Sequence, residues 1–298
     1  MINNFSELIE QAKNTKPRRL VVAGIQNDAV VKAAQHAAED HMIIPVLVDQ
    51  PPGIDRISEL FDNAKVIHVE GGEQEIAATA VSAIRAGEGD ILLKGSVNTA
   101  SLMSAVLDRE QGIREAQLLS DCFLFESENR KGNQLIAITD GGVVLYPDVD
   151  QKQVLIENAV NVYHGLGQAN PKVAVCAAIE RVNEKMPPTI DAGELKQRWE
   201  AGQITGCIVD GPLALDVALS EEAVRIKGLD SPVNGAADIL IMPTIEAANL
   251  VAKSTQYIAG KEAAHIIMGA TVPVLIPSRS DTPRGKYLSI ALAVVVGG

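Results

Sequence analysis

The sequence predicts a two-domain α/β protein built on mainly parallel sheets with helices on both faces. Three observations predict it. Apolar runs of four to six residues, rich in Val and Ile and with little polar alternation, recur along the chain, as strands covered on both sides require. Ala-rich amphipathic stretches separate them in the strand-then-helix rhythm of βαβ units. Of the 298 residues 47% are hydrophobic but only 3% aromatic, so the apolar mass is mostly Ala, Val, Ile and Leu. At roughly 150 residues per domain, the length suggests two domains.

In chain order, strands are expected at 20–23, 43–48, 66–69, 91–93 and 135–139, then at 173–176, 206–209, 239–242 and 273–276. Helices are expected at 28–40, 73–86, 99–107, 151–166, 192–201, 245–257 and 286–295. Asn27-Asp28 and Asp191 stand where N-caps are wanted. The run Lys185-Met186-Pro187-Pro188 reads as a breaker of regular structure, and Tyr146-Pro147-Asp148 as a second soft point. A domain boundary falls near 134–147.

A net charge of −12 argues against a broad nucleic-acid-binding face, so any anionic ligand needs a local basic pocket. No apolar run approaches the roughly 18 residues of a membrane helix. Residues 1–7 carry neither a basic nor an apolar leader region, and three cysteines with no Cys-x-x-Cys pair suit a reducing compartment. The expectation is a cytoplasmic protein with no nucleic-acid or membrane partner. The five histidines are scattered, so no metal site is expected. Val22-Ala23-Gly24-Ile25-Gln26-Asn27 lacks the second glycine of a dinucleotide loop, and neither a P-loop nor a Gly-x-Ser-x-Gly elbow occurs. Cys122, Cys176 and Cys207 lie among apolar neighbours and read as core thiols, which are usually inert.

Four segments can carry chemistry. Lys94-Gly95-Ser96-Val97-Asn98-Thr99 ends a buried strand and opens a helix. It reads either as an anion site at a helix N-terminus with Lys94 as a point charge, or as a plain turn with an exposed Lys and a capping Asn. Residues 278–286 follow another buried strand and pack three cations, three hydroxyls and a carboxylate into nine positions. The guanidinium of Arg279 can grip phosphate bidentately, Ser278 can donate to an oxyanion, and Asp281 can act as a base. The same loop also reads as a solvated charged turn. Glu246, Asn249 and Lys253 share one helical face, lining a cleft or facing solvent. Asp210 and Asp216 flank Gly211-Pro212, and either carboxylate holds a loop or meets a ligand.

These residues resemble the phosphate acetyl/butyryltransferase family over most of the length. The long match Ser231-Pro232-Val233-Asn234-Gly235-x-Ala237-Asp238, followed by Pro243 and Asn249-x-x-x-Lys253, is its most specific part. Asp210-Gly211-Pro212-x-x-x-Asp216, Lys94-Gly95-Ser96-Val97-x-Thr99 and Ser278-Arg279 add to it. Gly141-Gly142 after Asp140, Ser280-Asp281 after Arg279, and the run from Arg181 to Pro187 are similar to the butyryltransferase branch.

The resemblance implies an isocitrate/isopropylmalate dehydrogenase-like pair of α/β/α domains, 1–134 plus 269–298 and 135–268, with a cleft between them. It implies a phosphate acyltransferase that converts butyryl-CoA and phosphate to acyl phosphate and CoA by direct ternary-complex transfer. Coenzyme A is then substrate and product, with no further cofactor. Ser278, Arg279 and Asp281 would be catalytic, and Lys94, Ser96, Asn98, Thr99, Asp210, Asn249 and Lys253 would bind substrate. A homo-oligomer is expected, with the apolar segments 245–259 and 290–296 as candidate contact surfaces. The alternatives are an acetyltransferase, a non-catalytic acyl-CoA-sensing module and a metal-dependent decarboxylating dehydrogenase. The last needs clustered Asp residues and a nucleotide loop that the sequence lacks.

Overall fold

The computed structural model describes every residue except Pro52, Asn129, Lys131 and Gly298. The chain begins with α1 (Phe5–Lys13), β1 (Arg18–Ala23), α2 (Asp28–Glu39), β2 (Ile43–Asp49), α3 (Gly53–Ser58), β3 (Lys65–His68), α4 (Glu73–Arg85), β4 (Ile91–Lys94) and α5 (Thr99–Leu107). It continues with β5 (Ser120–Glu126), β6 (Leu135–Thr139), α6 (Val149–Gly165), β7 (Lys172–Cys176), α7 (Pro187–Glu200), β8 (Ile208–Leu213), α8 (Leu215–Leu219), α9 (Glu221–Lys227), β9 (Ile239–Ile241) and α10 (Ile245–Tyr257). It ends with β10 (Ala263–Met268), β11 (Val274–Leu275) and α11 (Pro283–Val296). Among the described residues, no helix is long and apolar enough to cross a membrane.

Two compact units result. The first is Phe5–Leu119 with Glu262–Gly298, and the second is Ser120–Lys261 with Met1–Asn4. In the first unit the strand order is β3-β2-β1-β4-β11-β10. All these neighbours are parallel except β10 and β11. The chain steps outward from β1 to β2 and β3, then crosses back to β4 through α4. Right-handed crossovers therefore put α2 and α4 on opposite faces. α11 packs against α1, α2 and β10, while α5 packs against α4. Strand β4 thus sends its chain to one face, whereas its neighbours β1 and β11 send theirs to the other. That reversal is where open α/β sheets form ligand crevices. Registers Ala23↔Lys94 and Leu93↔Leu275 bring the carboxyl ends of β1, β4 and β11 to a common edge.

The second unit has the order β5-β6-β9-β7-β8, parallel apart from β5 with β6. Strands β5 and β10 are the two that the apolar-run pattern leaves out. β5 carries Ser120, Asp121 and Glu126, and β10 opens with Ala263-Ala264, residues of low strand propensity. Pairing of β5 with β6 draws residues 120–134 into the second unit.

Two local expectations are corrected. Asp191 is not an N-cap: it lies within α7 and pairs with the buried ammonium of Lys152. Pro187 and Pro188 begin that helix instead of breaking it, because the first helical positions need no N–H donor and φ near −65° suits them. Nor is segment 290–296 an exposed contact surface. Ile290 to Val294 are all buried, since α11 is sandwiched against α1, α2 and β10. Other starts agree with the sequence: Asn27 caps α2 by accepting from Ala29 N and Val30 N, and Asp148 caps α6 in a reciprocal capping box with Gln151.

The turns after β1 and β4 interlock. Gly95 N donates to Ala23 O at 3.0 Å and Ser96 N to Gly24 O at 2.8 Å. A Cβ at position 95 would lie 1.6 Å from the Gly24 carbonyl oxygen. That neighbour is backbone and cannot swing aside. Gly95→Ala is therefore expected to cost at least the roughly 3 kcal/mol of severe overpacking, read as a lowered urea midpoint. A variant within about 0.5 kcal/mol of the native protein would show that the two turns are not rigidly packed.

Candidate active site

The carboxyl edge of the first unit gathers the polar residues singled out on β4 and in the 278–286 loop. Lys94 is the last residue of β4, so the strand itself delivers its side chain to this edge. It is not the exposed lysine of the plain-turn reading. Only 6% of it is accessible, and its Nζ donates to Val97 O at 3.3 Å and Gly95 O at 3.5 Å. Burial pushes its pKa below the ordinary lysine range; the positive charge of Arg279 adds to that shift and Glu73 opposes it. A buried ammonium with two long hydrogen bonds is electrostatically under-compensated.

The helix that follows is capped as the turn reading requires. Asn98 Oδ1 accepts from Ser101 N at 2.7 Å, and the Asn98 amide donates to Glu73. Asn98 is thus engaged structurally, while Ser96 and Thr99 are exposed.

After β11 the chain makes a tight four-residue turn. Asp281 N donates to Ser278 O at 3.1 Å, and Ser278 N donates to Asp281 Oδ2 at 2.7 Å. The two central residues, Arg279 and Ser280, are lifted to the tip, and both are exposed. The Ser278 and Ser280 hydroxyls lie 3.0 Å apart. Asp281 is buried beneath the tip, so its carboxylate shapes the turn. Lys286, in the first turn of α11, reaches back under the loop. Its Nζ donates to Ser278 O at 2.9 Å and to Asp281 O at 2.7 Å. The sequence reading did not single out Lys286. It counts only as one of the three cations of this loop, and four residues after the Thr282 cap, at the head of an apolar helix, an exposed cation is the ordinary reading.

The remaining candidates lie in the second unit. Asp210 is buried within β8, its carboxylate paired with Lys196 at 2.7 Å and accepting from Gly211 N and Ser231 Oγ. It braces β8 against α7 and the 231–235 segment. Asp216 is paired with Lys227 at 2.8 Å. Asn249 donates its amide to Gly141 O at 3.0 Å, tying α10 to the turn after β6. Lys253 donates to Gln256 and lies 5.8 Å from the Tyr257 ring centroid. The three thiols are buried and free of disulfides. Burial pushes Cys176 up to about 12 and Cys207 up to about 11, as inert core thiols should be.

Asp140, at the carboxyl end of β6, is a second group outside the predicted site. One oxygen accepts from Gly142 N at 2.7 Å and Val143 N at 2.8 Å, and the other from Asp121 N at 3.1 Å. Burial and, next, the neighbouring Asp121 charge raise its pKa to about 7. In the unfolded chain an Asp titrates near 3.9. Between those values the folded state binds the extra proton, so stability is greatest below the lower value and falls as pH rises towards 7. Melting temperature is expected to decline between about pH 4.5 and 7.5, and Asp140→Asn to flatten that decline. An identical slope in the variant would reject the assignment.

A model described as Phosphate acetyl/butaryl transferase matches residues 64–294 of the chain. The phosphate butyryltransferase of Clostridium acetobutylicum is 38% identical over 301 residues, covering 100% of this chain and 99% of that protein. The phosphate acetyltransferase of Thermotoga maritima is 40% identical, covering 98% of this chain and 99% of its own length. Among solved structures, a branched-chain phosphotransacylase from Enterococcus faecalis aligns with a TM-score of 0.85 at 30% identity, over 94% of this chain and 99% of that one. With the edge geometry of β4 and β11, the family match and these full-length similarities lead to one conclusion: the chain belongs to the phosphate acetyl/butaryl transferase family.

Proposed function

We propose that this chain transfers a short acyl group, butyryl in the first place, reversibly between coenzyme A and inorganic phosphate. The observation that carries the reading is the exposed turn tip bearing Ser278, Arg279 and Ser280, on the sheet edge where Lys94 is buried. A chain of net charge −12 that keeps cations together at one strand edge has built a local anion site against its own field.

Phosphate is a competent nucleophile at neutral pH, so the protein's task is to hold and orient it. Arg279 grips it through parallel N–H donors, and Lys94 adds charge from below. A phosphate oxygen forms the new bond to the thioester carbonyl carbon, the C–S bond breaks, and CoA leaves as its thiolate. Ser278 donates to the oxyanion that develops on the carbonyl. In the reverse direction the thiol must lose its proton before attack; the Asp281 carboxylate, buried and accepting from Ser278 N, shapes the loop and is not placed to take that proton. No acyl-enzyme is needed, and the raised pKa values of the buried thiols agree with that.

The similar proteins are named for butyryl, acetyl and branched-chain groups. One methylene is worth only about 1–3 kcal/mol in a pocket, so chain length is a matter of degree within one reaction. Short-chain acyl-CoAs and phosphate as substrates, coenzyme A as the only cofactor-like molecule, and three buried thiols together suit a cytoplasmic enzyme. Helix α10 exposes Leu250 (67%) and Tyr257 on one face, with Ile258 (84%) exposed at its C-terminal end, and we assign this face to self-association.

The test is a panel of acyl-CoAs assayed for thiol release with and without phosphate. Strictly phosphate-dependent release, greatest for four-carbon chains, is expected. A burst of CoA in the absence of phosphate would point to an acyl-enzyme and reject direct transfer. Arg279→Ala should lower kcat by about a hundredfold or more while the acyl-CoA KM stays within a few-fold; near-native turnover removes this loop from the site. For the assembly face, Ile258→Glu should reduce the mass measured by light scattering, and an unchanged mass assigns the contact elsewhere.

A further inference from the structure

Lys286 is a costly residue where it stands. Its side chain is 2% exposed, so its ammonium has lost its hydration. It belongs to the first turn of α11, where the helix dipole presents its positive end. The neighbouring Lys94 ammonium lowers its pKa further, after burial itself, and only the Asp281 carboxylate opposes them. Were the job only to cross-link two carbonyl oxygens, a neutral amide would do it without desolvating a charge. The lysine brings something that an amide does not.

Two properties distinguish it. First, its two bonds clamp both ends of one turn, at Ser278 O and Asp281 O, with Arg279 and Ser280 as the exposed tip between them. Each ammonium has three donors, and the two carbonyls occupy two. Secondly, it is a third cation in the first unit's edge cluster. Arg279 and Lys286 both bear on Lys94; the opposing carboxylates are Glu73 at Lys94 and, at Lys286, Asp281, which is already engaged with Ser278 N. Three cations against two carboxylates leave positive charge for an anion such as phosphate to meet.

We propose that Lys286 is a positioning residue for the phosphate substrate. It locks the 278–281 turn so that the Arg279 guanidinium is pre-oriented, and its buried charge contributes to the field that holds the dianion. This rests on the phosphate-transfer reading above.

The experiment compares the native chain with Lys286→Gln, Lys286→Met and Lys286→Arg, each checked for folding by circular dichroism and thermal melting. Initial rates are measured against phosphate and against butyryl-CoA separately, and inorganic phosphate binding is titrated calorimetrically. Both neutral variants are expected to raise the phosphate KM tenfold or more while leaving the butyryl-CoA KM within about twofold. Lys286→Arg, which keeps the charge, should recover most of the phosphate affinity. A folded neutral variant with native phosphate KM overturns the proposal. So does an equal rise in both KM values, which would mark general loosening, and so does failure of both neutral variants to fold when Lys286→Arg folds but gains no phosphate affinity. If the native chain releases no CoA from any acyl-CoA, the functional reading fails. Phosphate titration of the same variants then still judges Lys286 on its own.

Discussion

Everything at the candidate site follows from burying ammonium groups at the carboxyl edge of a parallel sheet. Strand β4 is covered on both faces, so its last residue has nowhere to put a charge except into the edge itself. The loops around Lys94 give it only long hydrogen bonds to carbonyl oxygens, and the next cations, Arg279 and Lys286, increase its difficulty. Such a cluster is unstable by itself in a low-dielectric setting. In the proposed reaction a phosphate dianion completes it, and that links the architecture to phosphate chemistry.

The geometry of the turns sets how closely this cluster can form. Gly24 adopts φ +74° and Gly95 sits against its carbonyl, so the β1 and β4 turns touch without side chains between them. The chain direction reverses at β4, because β1 and β11 feed helices on one face and β4 feeds a helix on the other. Lys94 and the 278–281 turn therefore come together on one strand edge. The turn at 278–281 is braced from three directions, by its own Asp281 N–H, by the Asp281 carboxylate and by Lys286. A rigid turn loses little entropy when its tip grips a ligand, which is the value of pre-organisation.

The second unit repeats the logic with the opposite sign. Its strand β6 is also followed directly by a charged residue, but there it is Asp140, beside Asp121. Three backbone N–H groups satisfy its oxygens, yet burial and the like-charged neighbour raise its pKa to about 7. Asp210, by contrast, is paired with the Lys196 ammonium and accepts a hydrogen bond from Ser231 Oγ. Two carboxylates in one sheet thus have different roles because one has a cation at hand and the other does not.

Periodicity alone determined most of the architecture. Buried parallel strands must be continuous apolar runs, and amphipathic helices must cover them, so alternation of the two is legible without coordinates. The same logic brought out Lys94 and the Ser278–Asp281 loop, since polar residues immediately after buried strands fall on the ligand-binding edge. What the chain pattern could not carry was anything that depends on residues distant in sequence. Strands β5 and β10 owe their existence to antiparallel partners more than to their own composition. Pro187-Pro188 became a helix start because the packed helix needed no donors there. Lys286 is indistinguishable from a surface lysine until the fold encloses it and two carbonyls close on its ammonium. Burial and charge environment are properties of the assembled structure, and only tertiary packing could decide them.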